Sequence, residues 1–175
     1  MSGYIWDQEI GETAVTFDLH SASASEAKSY VRDNVHDGVR CPCCEQYAKV
    51  YRRKLNSNMG RFLISLIKRS DVSVNDGWVH YSQCKFRGRD YSYLDVSYFD
   101  LASQRPNDDT GKRSSGFWRP TRRGVNFANN NLAVPKYIHV YNGSLLDFSP
   151  DLVNIVTCLG SDFSYDELME EGVEV

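Results

Sequence analysis

The sequence lacks any long apolar run and any leader of the secretory type. No stretch approaches the ~18 consecutive apolar residues that a membrane-spanning helix needs. The N-terminus also lacks the basic and then apolar layout of a signal peptide. These two absences argue against the common classes of membrane and exported proteins, and we expect a soluble, cytoplasmic protein.

The common sequence signatures of catalysis are missing as well. There is no glycine-rich loop for phosphate, no Gly-x-Ser-x-Gly elbow and no His-Glu-x-x-His pair. Nothing in the spacing of the histidines and cysteines ties them together as base and nucleophile. We therefore predict that the protein is not an enzyme.

Cysteine is scarce and poorly arranged for disulfides. The five cysteines are an odd number, and three of them are crowded at Cys41, Cys43 and Cys44. Cys41 and Cys44 form a Cys-x-x-Cys turn before a predicted strand, which is the geometry of a zinc knuckle. His80 and Cys84 are spaced i, i+4 and would share one face if that stretch were helical. The remaining ligands of a zinc would come from His36, His80, Cys84 or Cys158. We predict a structural zinc held by Cys41, Cys44, His80 and Cys84, with reduced, buried thiols or a redox-active pair as the alternatives.

Charge is strongly segregated along a chain whose net charge is −3. Residues 36–124 carry 17 Lys and Arg against 9 Asp and Glu, whereas residues 1–35 carry 2 against 6 and residues 125–175 carry 1 against 8. A basic centre between acidic ends favours a polyanionic partner such as DNA. The alternative is that the acidic ends neutralise the centre.

The pattern of elements predicts an α+β fold with a winged helix-turn-helix core. An N-terminal helix and the zinc-knuckle-like element precede this core, and a β-hairpin and helices follow it. The predicted segments are residues 1–57, 58–130 and 131–175.

The first segment contains the N-terminal helix and the cysteines. Residues 14–19 alternate like a short strand. Ser23 and Glu26 form a capping box for a helix over residues 24–35. The cysteine turn then leads into a strand predicted at residues 47–51, which is followed by a basic run.

The predicted core follows the order of a winged helix. An amphipathic helix begins at Asn58, and a short strand spans residues 78–81. A second helix is predicted over residues 90–101 with Asp90 as its N-cap. Two strands joined by a long polar loop then form the wing, and a helix capped by a threonine closes the core.

The third segment begins with a hairpin. A strand is predicted at residues 134–141, a turn at 142–143 and a returning strand at 144–148. A helix is predicted over residues 149–160, and a second capping box at residues 164–167 starts a short acidic helix.

The predicted helix at 90–101 is a poor reader of DNA bases. Its outer face has no Arg or Lys and includes Asp95 and Asp100, which repel phosphate. Tyr93 and Phe99 beside these carboxylates suit a protein interface better. The alternative partner-binding surface is therefore Tyr93, Asp95, Phe99 and Asp100.

The basic residues that we expect to contact phosphate lie before the core, at helix starts and in the wing. Contacts of this kind make binding steeply salt-dependent and only weakly sequence-selective. The expected contacts are Arg52, Arg53, Lys54, Arg87, Arg89, Lys112, Arg113, Arg122 and Arg123.

Several short, specific motifs lie between Cys41 and Gly143. They are Cys-Pro-x-Cys at residue 41, Lys-Val-Tyr-Arg-Arg at 49, Gly-Trp-Val-His at 77, Trp-Arg-x-Thr at 118 and Val-Pro-Lys-Tyr at 134. Together they resemble a group of small phage-encoded proteins, which implies a phage or prophage origin and a role in the cytoplasm of an infected bacterium. The strand that ends in Thr121 before a Gly-containing helix is also similar to bacterial winged-helix regulators.

These observations lead to two hypotheses. The first is a phage-encoded, non-enzymatic winged-helix protein that binds DNA mainly through phosphate contacts. The alternative is a protein-interaction module that binds a host protein, for host takeover or anti-defence, through the acidic and aromatic face of helix 90–101. A homodimer is a further possible assembly.

Overall fold

A computed structural model describes residues 23–112 and 114–172. Within these ranges the chain is α+β, as predicted, with several small antiparallel sheets. It divides into two compact units, with the boundary between Val50 and Tyr51. The strand predicted at residues 14–19 lies outside the described ranges. No helix in those ranges is long and apolar enough to cross a membrane.

The described residues of the first unit, 23–50, form one helix and a two-stranded ribbon. Helix α1 spans Ala24–Asn34, and the capping box at its start is confirmed. The Ser23 hydroxyl accepts a hydrogen bond from the Glu26 amide at 3.3 Å, and the Glu26 carboxylate accepts one from the Ser23 amide at 2.8 Å. Strand β1 (Val39–Arg40) pairs antiparallel with β2 (Tyr47–Ala48), and the cysteine turn joins them.

The second unit contains all later elements. In chain order these are β3 (Tyr51–Lys54), α2 (Ser57–Asp71), β4 (Val79–His80), β5 (Ala102–Gln104), β6 (Phe117–Pro120), α3 (Arg122–Ala128), β7 (Val134–Pro135), β8 (Tyr137–Tyr141), β9 (Ser144–Phe148), β10 (Leu152–Val153), α4 (Ile155–Leu159) and α5 (Tyr165–Glu170). Short 3-10 turns at Tyr81–Gln83 and Asp90–Leu94 lie between β4 and β5.

Helix α2 is the centre of the core of this unit. Asn56 caps it by accepting a hydrogen bond from the Met59 amide at 3.0 Å. The predicted apolar stripe is confirmed, because Phe62, Leu63 and Leu66 are fully buried. Burial of each large apolar side chain contributes about 1.5–3 kcal/mol. The apolar residues that recur at helical spacing in the sequence are therefore the ones that α2 buries in the core of this unit.

An aromatic cluster joins α2 to the chain around it. The Phe62 ring centre lies 4.8 Å from that of Tyr91 and 6.3 Å from that of Trp118, and Phe86 meets Phe62 edge-on at 5.7 Å. Such aromatic pairs contribute about 0.5–1.5 kcal/mol beyond the burial of their surface. The cluster holds the 3-10 turn at 90–94 and strand β6 against the helix.

Two three-stranded sheets flank this core, in the orders β4-β6-β5 and β3-β8-β9. In the first, β6 is central, and Trp118 lies opposite both Val79 and Gln104. In the second, β8 is central. The predicted hairpin from β8 to β9 is confirmed, with positive φ angles of 48° at Asn142 and 75° at Gly143, as a type I′ turn requires.

The strands predicted at residues 47–51 and 134–141 are each divided in two. The first becomes β2 and β3, with Lys49 and Val50 between them. The second becomes β7 and β8, with Lys136 between them. The two halves of each predicted strand pair with different strands. Strand β2 pairs with β1 and β3 with β8, whereas β7 pairs with β10 and β8 with β3 and β9.

The helix predicted over residues 90–101 is wrong. Only residues 90–94 are helical, as a 3-10 turn. The Asp95 carboxylate accepts hydrogen bonds from the Ser97 amide and hydroxyl and from the Gln104 amide. Side chains of Asp and Ser compete in this way with the hydrogen bonds of a helix. The chain therefore leaves the helical path at Asp95 and turns towards β5.

The helix predicted to start at Pro150 is wrong at its N-terminus. Residues 152–153 form β10 and pair with β7. Helix α4 starts only after Asn154, whose side chain accepts a hydrogen bond from the Thr157 amide at 2.8 Å. A strand suits Leu152 and Val153 better than the first turn of a helix, since β-branched residues such as Val are enriched in strands. The predicted helix end at Gly160 is confirmed.

Helix α3 starts in direct contact with the backbone at Leu101. Thr121 caps the helix, as predicted, by accepting a hydrogen bond from the Gly124 amide at 3.0 Å. Its hydroxyl donates to the Asp100 carbonyl at 2.8 Å. A Cβ atom at Gly124 would lie 1.9 Å from the Leu101 carbonyl oxygen. Only glycine permits so close an approach.

We predict that Gly124→Ala destabilises the protein by about 3 kcal/mol, because the added methyl group must push apart two pieces of backbone. The free energy of unfolding in urea measures this loss. Gly172→Ala is the matched control, since a Cβ atom there meets nothing within 4 Å. Equal stability of the two variants would contradict the role of Gly124.

Candidate nucleic-acid interface

Strand β3 presents three consecutive basic side chains at a sheet edge. Arg52, Arg53 and Lys54 are all exposed, and β3 pairs on one side only, with β8. Among the residues that the structure describes, none of the three forms an ion pair with a carboxylate. The basic run predicted to follow a strand thus forms a strand itself. Because side chains alternate, Arg52 and Lys54 share one face and Arg53 lies on the other.

Arg52 and Lys54 lie beside an aromatic row on strand β8. The row consists of Tyr137, His139 and Tyr141. The Arg52 Cζ atom lies 3.6 Å from the centre of the Tyr137 ring, and Lys54 is opposite Tyr137 in the ladder. A hydrogen bond from the Arg52 guanidinium lowers the pKa of the Tyr137 phenol. Cations and exposed aromatic surface are therefore combined on one face.

Arg53 links the other face of β3 to the 3-10 segment. Its guanidinium lies 5.4 Å from the ring centre of Tyr51 and 5.4 Å from that of Tyr93. Tyr93 packs edge-on against Tyr98, whose hydroxyl donates to the Gly143 carbonyl at 2.6 Å. These contacts hold Arg53 at the sheet edge while leaving it exposed.

Four further cations expected to contact phosphate lie on other elements. Arg87 and Arg89 are exposed in the connection before the 3-10 turn at residues 90–94. Arg122 is exposed and Arg123 partly exposed in the first turn of α3. The positive end of that helix adds to their attraction for phosphate.

The wing between β5 and β6 supplies less free charge than predicted. Lys112 forms an ion pair with Asp109, with the Nζ atom 3.2 Å from a carboxylate oxygen. Asn107 and Asp109 also hold the loop by hydrogen bonds to its backbone. Arg113, the other cation predicted there, lies outside the described residues.

The described part of the acidic C-terminal segment contacts a different basic surface, formed by Lys68 on α2 and by Lys85. The Lys85 Nζ atom lies 3.0 Å from a carboxylate oxygen of Glu171, and Lys68 donates to the carbonyls of Met169 and Glu171 at 2.8 and 2.6 Å. The hydrogen bond from Lys85 lowers the pKa of Glu171. Within the described residues, an acidic end therefore meets the basic centre at Lys68 and Lys85, and no carboxylate of these residues pairs with β3.

The surface expected to bind a protein partner is not formed as predicted. Phe99 is 2% exposed and belongs to the core. The Asp95 carboxylate is used within the fold, where it accepts a hydrogen bond from the Gln104 amide at 3.2 Å. Tyr93 is half-buried, and Asp100 is exposed in a turn with a positive φ of 56°. Without the helix, these four side chains do not share a face.

The cysteine turn closes the β1–β2 ribbon. The Glu45 amide donates to the Cys41 carbonyl at 2.8 Å, and the Cys41 amide donates to the Gln46 carbonyl at 2.8 Å. Hydrogen bonds from the amides of Cys44 and Cys43 lower the pKa of the Cys41 thiol. Stabilisation of a thiolate in this way suits one half of a zinc site.

His80 and Cys84 do not share a helix face, because the chain between them is a 3-10 turn. The His80 Nδ1 atom hydrogen-bonds to the Ser82 hydroxyl at 2.7 Å. Burial raises the pKa of Cys84 to about 12, beside Ser65 and Arg69.

Within residues 23–112 and 114–172, no group of three or more His, Cys, Asp or Glu is placed to hold a metal ion. Cys41 and Cys44 fit two of the four positions around zinc, whereas His80 and Cys84 are not arranged as the predicted helical pair. A bound zinc, which would cross-link the turn, stays a prediction that rests on Cys41 and Cys44.

Sequence reasoning missed the residues of β8 that lie beside β3. Tyr137, His139 and Tyr141 belong to a predicted strand, but nothing in the local pattern connects them with the basic run. The available signal was their alternation with apolar residues, which predicts one exposed face of the strand. Pairing between segments so distant in sequence leaves no mark in composition or periodicity.

Comparison with family models, with curated proteins and with solved structures gives no match to this chain. The resemblance to phage proteins and to winged-helix regulators, together with the bacterial host that it implies, stays a prediction. Function therefore has to be inferred from the geometry of β3 and its neighbours.

The two buried thiols predict a loss of stability at alkaline pH. Burial raises the pKa of Cys84 and of Cys158 from 9.0 to about 12. Above pH 9.0 the unfolded chain loses these protons while the folded chain keeps them, so the unfolded state is favoured increasingly up to about pH 12. Each thiol lowers the free energy of unfolding by about 1.4 kcal/mol per pH unit in this window.

Urea unfolding at a series of pH values above 9.0 measures this slope. The double variant Cys84→Ala/Cys158→Ala is the control, since it lacks both thiols. We expect its stability to be lower at neutral pH but to fall less steeply on alkalinisation. Parallel curves for the two proteins would show that the thiols are not held protonated by the fold.

Labelling with a thiol reagent provides a separate prediction. Cys41, Cys43 and Cys44 are accessible and are expected to react in the folded protein, whereas Cys84 and Cys158 react only after unfolding. Added zinc is expected to slow labelling of Cys41 and Cys44, with the sites assigned by mass spectrometry. Identical labelling with and without zinc would rule out the zinc turn.

Proposed function

We propose that this protein binds nucleic acid through phosphate contacts made by β3, and that it catalyses no reaction. The observation that carries the proposal is the run of three exposed cations on an edge strand, Arg52, Arg53 and Lys54, without a carboxylate partner in the described residues. Lys136 adds a fourth charge beside them. A cluster of this kind binds phosphates and releases their counterions.

The elements after β3 support a winged-helix-like core. Helix α2, strand β4 and the hairpin β5–β6 follow one another in the chain. The sheet order β4-β6-β5 places β6, the second strand of the hairpin, in the middle. In a winged helix the second strand of the wing likewise pairs with a short strand that precedes the hairpin, which here is β4. The hairpin β5–β6 is accordingly the proposed wing.

The element in the place of the recognition helix is not suited to reading the base sequence of duplex DNA. The position of a recognition helix is occupied by the 3-10 turn at residues 90–94. A single turn is too short to lie along a major groove and present several side chains to base edges. The proposed binding therefore depends on phosphate contacts and discriminates little between sequences.

The alternative of a host-protein interface on residues 90–101 has no specific observation in its favour. Phe99 is part of the core, and Asp95 is engaged by backbone amides. The exposed β3 surface carries three consecutive cations without a carboxylate partner in the described residues, which suits a polyanion.

The double variant Arg53→Gln/Lys54→Gln tests the role of β3. Binding of a labelled mixed-sequence DNA, as single strand and as duplex, is measured over a range of salt concentrations. We expect a linear decline of log affinity with log salt concentration. The variant is expected to lower the slope for duplex by about 1.8, since each phosphate contact contributes about 0.9.

The double variant Lys28→Gln/Arg32→Gln on α1 removes the same charge from exposed positions elsewhere. We expect its salt slope to stay at the wild-type value. Equal slopes for the β3 variant and the wild type would show that β3 does not contact phosphate. Absence of binding to either probe at low salt would refute the proposed function as a whole.

A further inference from the structure

We infer that the outward face of the sheet β3-β8-β9 is a platform on which bases of a single-stranded nucleic acid stack. The inference rests on the proposed function and specifies its ligand class. The platform consists of the aromatic row of β8 and the two cations of β3 that share its face. Unpaired bases are free to contact such rings, whereas paired bases are not.

Strand β8 has two faces of opposite character. Ile138 and Val140 are buried in the core, at 0% and 6% exposure. The aromatic row points the other way, and none of its three side chains is buried. Alternate residues of a strand are about 6.6 Å apart, roughly twice the separation of stacked bases. The row therefore suits bases that are spread apart, one to each ring, as in an unstacked single strand.

One end of the row is already a cationic stack. The Arg52 guanidinium carbon lies 3.6 Å from the centre of the Tyr137 ring. A guanidinium beside a ring also stacks with bases, while its N–H groups donate to phosphate. Lys54, opposite Tyr137 in the ladder, places a second charge where the backbone of a bound strand would run.

The middle of the row is fixed by a hydrogen bond across the sheet. The His139 Nδ1 atom pairs with the Asp147 carboxylate on β9, and 31% of the His139 side chain remains exposed. Asp147 is thus engaged with His139. Arg52, Lys54 and Lys136, around the row, have no carboxylate partner in the described part of the chain. Around the rings, three cations therefore outnumber the one carboxylate of Asp147, whose side chain is 56% exposed, and this excess of positive charge suits a phosphate backbone.

A duplex fits this surface less well than a single strand. Its bases are paired and stacked inside the helix, so a sheet face can contact only the phosphates along its outside. The aromatic row would then contribute nothing to binding. Dependence of binding on the rings is the property that separates stacking from simple phosphate attraction.

Fluorescence anisotropy of the full chain tests the platform with three labelled probes of one mixed sequence: a DNA single strand, the corresponding RNA and the DNA duplex. We expect tighter binding of a single strand than of the duplex, and the RNA arm shows whether a 2′-hydroxyl contributes. Tyr137→Ala and Tyr141→Ala are each expected to weaken single-strand binding roughly 5- to 100-fold, the contribution of one stacked base. Duplex binding should not change.

Two further variants complete the experiment. Tyr141→Phe keeps the ring and is expected to bind as the wild type does. Phe148→Ala removes a ring that is 47% exposed on the opposite face of the same sheet, opposite Ile138 in the ladder, and should leave binding unchanged. Thermal unfolding of each variant verifies that the fold is retained.

The outcomes separate the platform from the proposed function. Duplex binding as tight as single-strand binding, or full single-strand affinity in both alanine variants, would overturn the platform and leave the phosphate contacts of β3 standing. Loss of affinity in Phe148→Ala equal to that in Tyr141→Ala would also overturn it. Failure of every probe to bind at low salt would instead remove the proposed function, and the platform with it.

Discussion

The antiparallel pairing of β3 with β8 is the contact on which the candidate site depends. Arg52 lies opposite His139 and Lys54 opposite Tyr137, so two cations and the aromatic row share one face. Side chains of a strand alternate with a period of two, so a slip of one residue would move Arg52 and Lys54 away from the aromatic row. The register of this ladder therefore decides whether the candidate site is formed.

Helix α2 is what keeps β3 in that position. Leu55, directly after β3, is fully buried, and its amide donates to the Lys136 carbonyl at 2.9 Å. Asn56 then caps α2 and also donates to the Asp90 carboxylate at 3.1 Å. The edge strand is thus continuous with the most buried helix of the unit, and the 3-10 turn is tied to the same junction. An exposed strand anchored at its end in this way keeps its side chains in place without burying them.

Prediction from the sequence succeeded where the signal is local and failed where two local signals compete. The capping box of α1, the apolar stripe of α2 and the Asn142–Gly143 turn are each encoded within a few residues, and each is found as predicted. The segment 90–101 also has helical periodicity, but the Asp95 side chain accepts a hydrogen bond from the Ser97 amide, which would otherwise have continued the helix. The basic run of β3 was visible in composition. Its aromatic neighbours were not, because the β3–β8 ladder joins segments far apart in sequence.

Local charge, rather than the net charge of −3, decides whether such a chain can hold a polyanion. Exposed charges separated by more than about 8–10 Å are largely screened at physiological salt. In the described part of the acidic C-terminal segment, Glu171 pairs with Lys85, and Lys68 on α2 donates to the Met169 carbonyl. The cations of β3 face solvent without a carboxylate partner in the described residues. The β3–β8 face is therefore a positive surface that a polyanion can approach although the net charge of the chain is negative.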